Sequence, residues 1–115
     1  MNSSRSKREL QTEYKERQVT GGVYVIRNTQ TGKLFLDCAV DLQGSANRFS
    51  FAKSTNSCIY LKMRGDWEEY GSNAFAFEVL EELKRGETQT AAEFKADVEL
   101  LRDMWLERMT DKELY

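Results

Sequence analysis

Three stretches of the chain have the composition or the alternation that is typical of β-strands. Residues 23–27 and 33–40 are rich in β-branched and aromatic side chains. The turn sequence Asn-Thr-Gln-Thr-Gly at residues 28–32 lies between them, so we expect a β-hairpin. Apolar side chains alternate with small or charged ones from residue 75 onward, which predicts a third strand through about Glu82.

Two capping boxes predict the first and the last helix. The sequence S-x-x-E at residues 6–9 precedes apolar residues four positions apart, so we expect a short helix over residues 7–17. A second capping box at residues 90–93 precedes apolar residues at spacings of three and four. This pattern predicts the longest helix of the chain, over residues 91–109.

Two more helices are predicted between the second and third strands. Asp41 is a candidate N-cap for a run in which apolar residues recur at helical spacing. Ile59, Met63 and Trp67 follow at i, i+4 and i+8 and predict a second helix that ends near Gly71. The element order predicts an α+β domain with a small, mainly antiparallel three-stranded sheet flanked by helices.

The chain length of 115 residues suits one domain with one core. We expect residues 1–20 to form an N-terminal helical extension, residues 21–110 to form the domain and residues 111–115 to form a C-terminal tail. The periodic aromatic residues expected in the core are Phe75, Phe94 and Trp105.

Composition narrows the chemistry that this domain can carry out. The sequence has no histidine, which excludes imidazole-based catalytic triads and His-ligated metals. Its two cysteines, Cys38 and Cys58, lie 20 positions apart and have no CxxC spacing, so we expect reduced, buried thiols rather than a zinc site.

The charge is unevenly distributed along the chain. Residues 1–62 carry ten basic and five acidic side chains, whereas residues 63–115 carry seven basic and 14 acidic ones. The net charge of −2 therefore permits a basic face on an acidic protein. Because neither a signal-peptide core nor an apolar run of about 18 residues is present, we expect a cytoplasmic protein without a membrane partner.

The predicted hairpin carries a resemblance to a known superfamily. Gly22-Val23-Tyr24, ten intervening residues and then Phe35-Leu36-Asp37 resemble the two tripeptides that name the GIY-YIG nucleases. Later segments that are similar in order and spacing are Asp41-Leu42-Gln43-Gly44, Trp67 to Gly71, Phe75 to Glu81 and Met104-Trp105-Leu106. The resemblance covers about residues 21–109 and implies the fold of the catalytic domain of GIY-YIG homing endonucleases.

The resemblance also implies a chemistry, namely cleavage of a phosphodiester with a single divalent metal, Mg²⁺ or Mn²⁺. In such enzymes a hairpin tyrosine helps to activate water, a helix arginine holds the phosphate and a glutamate on the last helix holds the metal. In this chain Tyr24 matches the tyrosine of the first tripeptide. Phe35 stands where the second tripeptide has its tyrosine, and Asp37 stands where the second tripeptide has its glycine. Ser45 stands at the position of the helix arginine. Phe49 stands four residues later, where these enzymes usually have a histidine.

The glutamate position, three residues before the tryptophan of the last helix, is Arg102. An arginine inverts the charge where the cation is expected, so we predict a domain that has lost standard nuclease activity and needs no metal. In a rebuilt site, Arg48 would replace the lost phosphate clamp. Metal ligands would then come from Glu99, Asp103 or Asp37.

Three hypotheses for the function remain. The first is a binding module for nucleic acid, whose candidate phosphate contacts are Arg27, Lys33, Arg48, Lys53 and Lys62. The second is an active metal-dependent endonuclease with a relocated site and Tyr24 as base. The third is a protein-interaction or oligomerising module that uses the acidic last helix or the helix over residues 7–17. The sequence leaves the oligomeric state open.

Overall fold

A computed structural model describes residues 19–115, and the helix predicted over residues 7–17 lies outside this range. Three antiparallel strands form one sheet in the order β2-β1-β3. The strands are β1 (Thr20–Asn28), β2 (Leu34–Ala39) and β3 (Phe75–Lys84). The predicted hairpin and the predicted α+β class are therefore confirmed.

The hairpin turn is held by backbone groups around a buried asparagine. Asn28 is fully buried, and its main chain exchanges hydrogen bonds with the other side of the turn. Its side-chain Oδ1 accepts the N–H of Gln30 at 2.9 Å. Gly32 has φ +80°, a conformation that favours glycine. The polar residues of the turn thus provide hydrogen-bond partners for backbone groups where the β1–β2 ladder ends.

The first helix of the described residues is α1 (Leu42–Thr55), and it begins directly after the predicted N-cap Asp41. The Asp41 side chain accepts the N–H of Gly44 at 3.0 Å and so caps the first turn. The helix ends at Asn56, whose left-handed backbone (φ 51°) closes the last turn. Its buried face consists of Leu42, Ser45, Phe49 and Ala52.

The second predicted helix is shorter than the spacing suggested. A 3₁₀ turn at Leu61–Met63 leads into α2 (Arg64–Tyr70), which ends at Gly71 with φ 84°. Met63 and Trp67 are buried, but Ile59 precedes the helix and is 52% exposed. The prediction that Ile59 starts this helix is therefore wrong, because the chain enters the helix through an extended segment that places Ile59 outside the core.

The third strand contains an irregularity opposite the middle of β1. Val23 pairs with Glu81, whereas Tyr24 pairs with Val79, so β3 has one extra residue in the ladder. Val79 is 44% exposed, although it continues the apolar alternation of Phe75 and Phe77.

The last helix, α3 (Ala91–Arg108), has the predicted capping box. The Thr90 hydroxyl accepts the N–H of Glu93, and the Glu93 carboxylate accepts the N–H of Thr90. Phe94 is buried as expected, but Trp105 is only partly buried. Its indole N–H reaches the exposed carboxylate of Glu81 at 2.9 Å, so Trp105 covers the edge of the domain rather than its centre.

The two faces of the sheet are covered by different helices. Tyr24 and Ile26 belong to the core cluster that α1 and α2 complete. A Cβ atom on Gly21 would meet the ring of Phe94 at 2.7 Å, so α3 packs on the opposite face and needs glycine at that point. Both cysteines are free and half-buried.

A short segment at the end of the chain pairs with β2. Leu34 and Leu114 form an isolated parallel bridge, in which the Leu34 N–H donates to Glu113 O and the Tyr115 N–H donates to Leu34 O. The Tyr115 hydroxyl donates to Asp66 Oδ2 at 2.6 Å and accepts from Asn28 Nδ2 at 3.1 Å. This residue therefore links the hairpin turn to α2.

Candidate functional site

The side chain of Tyr24 stands on the face of the sheet that α1 covers. It is 6% exposed and stacks on the Phe77 ring at a centroid distance of 4.8 Å. Burial raises the pKa of its hydroxyl well above the ordinary value, and the charge of Asp37 on the neighbouring strand raises it further. The Tyr24 hydroxyl therefore stays protonated to a higher pH than that of an exposed tyrosine, which disfavours it as a base.

Helix α1 brings Ser45 and Arg48 toward this hydroxyl. They lie one turn apart, and Arg48 Nη2 donates to the hydroxyl of Ser45 at 3.2 Å. Ser45 is buried, whereas Arg48 is exposed. Both side chains oppose the rise in the pKa of Tyr24, Arg48 through its charge and Ser45 through its hydroxyl. Arg48 thus supplies a cation one turn after the position where the resemblance expects one.

Sequence reasoning missed Tyr60, which also lies in this site. It comes from the segment before the 3₁₀ turn, and its ring packs against Phe35 at a centroid distance of 5.6 Å. Burial raises the pKa of Tyr60, and the charge of Arg48 lowers it. Tyr60 therefore brings a tyrosine side chain beside Phe35, which lacks the hydroxyl that the resemblance implies at its position. No local pattern could have indicated this, because the contact joins residues from separate elements.

Phe49 occupies a core position rather than a chemical one. It is 5% exposed and meets the Trp67 ring edge-on at a centroid distance of 6.3 Å. A histidine at this place would have to bury its polar nitrogen atoms among aromatic rings, which is costly without hydrogen-bond partners.

Arg102 extends from α3 to the β2 edge of the sheet. Its guanidinium donates through Nη1 to Cys38 Sγ at 3.7 Å and through Nε to Asp103 Oδ1 at 3.2 Å. The Nη1 atom also lies 3.9 Å from Asp37 Oδ1. Burial lowers the pKa of Arg102, but Cys38, Asp103 and Asp37 raise it by more. Arg102 is therefore a fixed positive charge next to the hairpin.

A groove of about 720 Å³ runs along the outer edge of β2, between α1 and α3. Three of its lining residues are cations, namely Arg48, Lys95 and Arg102. Three others are carboxylates, namely Asp37, Asp41 and Glu99. Asp37 and Asp41 also accept backbone N–H groups, at 2.8 Å from Cys38 and 3.0 Å from Gly44.

The residues present do not fit the divalent metal that the resemblance implies. Within residues 19–115, no three carboxylate or cysteine side chains are gathered closely enough to hold an ion. The groups around the expected position are a guanidinium and its two acidic neighbours, Asp37 and Asp103. An arginine cannot ligate a cation, because it has donors and no acceptor.

The other predicted phosphate contacts lie apart from the groove. Arg27 pairs with Glu78 on β3. The Lys33 ammonium lies 4.8 Å from the centre of the Tyr115 ring, and the Lys53 ammonium lies 5.7 Å from the centre of the Phe49 ring. Lys62 is exposed in the 3₁₀ turn. Of the predicted set, Arg48 alone lines the groove.

Two solved structures share this architecture. One is a point mutant of the catalytic domain of the intron endonuclease I-TevI, which is 20% identical, has a TM-score of 0.57 and matches over 78% of this chain and 84% of that chain. The other is the catalytic domain of the homing endonuclease I-TevI, at 19% identity and a TM-score of 0.56, over 76% and 86%. No protein-family model and no curated protein matches the sequence.

The comparison confirms the resemblance at the level of the fold. I-TevI is a GIY-YIG homing endonuclease, and this chain has the α+β fold of its catalytic domain. Within residues 19–115, no helix is both long enough and apolar enough to cross a lipid bilayer.

Proposed function

We propose that this chain is a GIY-YIG-like domain that has lost metal-dependent nuclease activity and binds the phosphate backbone of a nucleic acid. The observation that carries the proposal is the position of Arg102. Where a metal-binding carboxylate is expected, this side chain presents a positive charge held beside Asp37 and Cys38. Such a charge suits a phosphate oxygen and repels a metal ion.

The environment of Tyr24 supports the same proposal. Activation of water would require the deprotonated form of Tyr24, and burial together with the charge of Asp37 makes that form harder to reach than in an exposed tyrosine. A protonated hydroxyl next to Arg48 can donate a hydrogen bond to a phosphate oxygen instead. The site therefore keeps groups that bind phosphate and lacks groups that would cleave it.

The test is a combined binding and cleavage assay. The pure protein is mixed at low salt with labelled duplex and branched DNA, once with Mn²⁺ and once with EDTA. We expect a mobility shift without cleavage in both conditions. The Arg48→Ala variant should weaken the shift, whereas Lys84→Ala, which removes an exposed cation at the far end of β3, should leave it unchanged.

Two other outcomes would favour the other hypotheses. Cleavage that requires Mn²⁺ and disappears in Tyr24→Phe would establish an active endonuclease with a relocated site. The absence of any shift at low salt would refute nucleic-acid binding and favour a protein-interaction module. For that role, α3 offers Leu100 and Met104, which lie one turn apart and are 60% and 43% exposed.

A further inference from the structure

The guanidinium of Arg102 occupies a place that is already arranged around a positive charge. Asp37 approaches it from β2 at 3.9 Å, and Asp103 approaches it from its own helix at 3.2 Å. Glu99 precedes it by about one helical turn and lines the same groove. Asp37 and Asp103 therefore hold the guanidinium of Arg102 at the β2 edge, inside the groove.

The guanidinium also keeps donors available. Nε and Nη1 make its hydrogen bonds, and among residues 19–115 Nη2 has no partner. The side chain is 30% exposed and opens onto the groove that Arg48 and Lys95 also line. A planar guanidinium with free N–H groups can bind two oxygens of one phosphate. The acidic neighbours thus hold Arg102 in position without using all of its donors.

From this arrangement, which rests on the proposed function, we propose that Arg102 stands in for a divalent cation and binds a backbone phosphate in the β2-edge groove without any metal. Arg48 and Lys95 flank that phosphate from α1 and α3. Asp37 and Asp103 take the role that ligands would have toward an ion, and they orient the guanidinium. Binding of nucleic acid is accordingly independent of divalent metal.

The first measurement is the affinity for a fluorescent DNA duplex at several salt concentrations, in Mg²⁺ and in EDTA. We expect the wild-type protein to bind equally well in both. Arg102→Gln should bind roughly tenfold more weakly, and the slope of log affinity against log salt should be shallower by about 0.9. The matched control is Arg108→Gln, which removes an exposed arginine from the same helix outside the groove. It should behave like the wild type.

The second measurement does not use DNA. The wild type and Arg108→Gln are titrated with Mn²⁺ in a calorimeter. We expect neither protein to bind the ion, because a guanidinium without acceptor atoms lies between Asp37 and Asp103.

The two measurements separate this inference from the proposed function. Wild-type DNA binding that EDTA abolishes, or an Arg102→Gln variant that binds as tightly as the wild type, would overturn the inference and leave nucleic-acid binding intact. If the wild type binds no DNA, the proposed function fails. Binding of Mn²⁺ by the wild type would show that the carboxylates around Arg102 hold a metal, and it would overturn the inference independently of DNA binding.

Discussion

The hydroxyl of Tyr115 connects two parts of the domain that are far apart in sequence, and its removal has a calculable effect. Tyr115→Phe deletes the 2.6 Å bond to Asp66 and the 3.1 Å bond from Asn28. A hydrogen bond to a charged group contributes about 1.5–3 kcal/mol, and a buried donor left without a partner costs about 1–3 kcal/mol. Asp66 is half-buried and can be rehydrated, whereas Asn28 is fully buried and cannot.

We therefore expect Tyr115→Phe to lower the free energy of unfolding by about 2 kcal/mol. In a domain of this size that corresponds to a decrease in Tm of roughly 8 °C. Urea denaturation followed by circular dichroism measures the first quantity, and a thermal scan measures the second.

The control is Tyr70→Phe, because Tyr70 is 40% exposed and its hydroxyl has no hydrogen bond within residues 19–115. It should change the stability by less than about 0.5 kcal/mol. A Tyr115→Phe variant as stable as this control would show that water replaces both lost bonds and that the link between the hairpin turn and α2 contributes nothing.

Three further predictions concern pH, the last helix and the first strand. Burial raises the pKa of Tyr115 to about 12, and it raises the pKa of Tyr24 as well. The protonated hydroxyls of both residues therefore stabilise the folded state at pH values below 10, the ordinary pKa of tyrosine. Stability should fall as the pH rises from 10 toward 12, and an unchanged urea midpoint across this range would contradict the shifts. Thr90→Ala removes the capping box and should cost about 1 kcal/mol in urea denaturation; a change near zero would mean that solvent replaces the cap. Gly22→Ala should prevent folding, since its φ is +151° and a Cβ atom would lie 2.0 Å from the Glu81 carbonyl oxygen. A native circular dichroism spectrum for that variant would refute this.

The features that the sequence predicted correctly depend on local interactions. The capping boxes and turn residues act within a few positions, so Asp41 and Thr90 mark helix starts without knowledge of the fold. Ile59 shows the limit, because helical spacing alone could not exclude an extended segment before α2. Trp105 shows the same limit, since its exposure depends on where the edge of β3 lies.

Residues of the candidate site could be predicted from the sequence only where they occupy a position of the family motif. The resemblance identified Tyr24, Ser45 and Arg102, and the structure places the first two at one site and the third nearby on the β2 edge. It could not identify Tyr60 or Lys95, because neither belongs to a motif and both reach their places through tertiary packing. Residues of this kind are found from the fold rather than from spacing.

The pairing of the chain's last residues with β2 has a consequence for self-association. Residues 34, 36 and 38 direct their backbone groups away from β1, toward the outer edge of the sheet. Leu34 is occupied by the bonds to residues 113 and 115, and the Cys38 N–H is occupied by the Asp37 carboxylate. Within residues 19–115, the backbone groups of Leu36 and the Cys38 carbonyl remain to receive another strand. An edge this short is a poor template for intermolecular β-pairing, so this side of the sheet is protected against edge-to-edge aggregation.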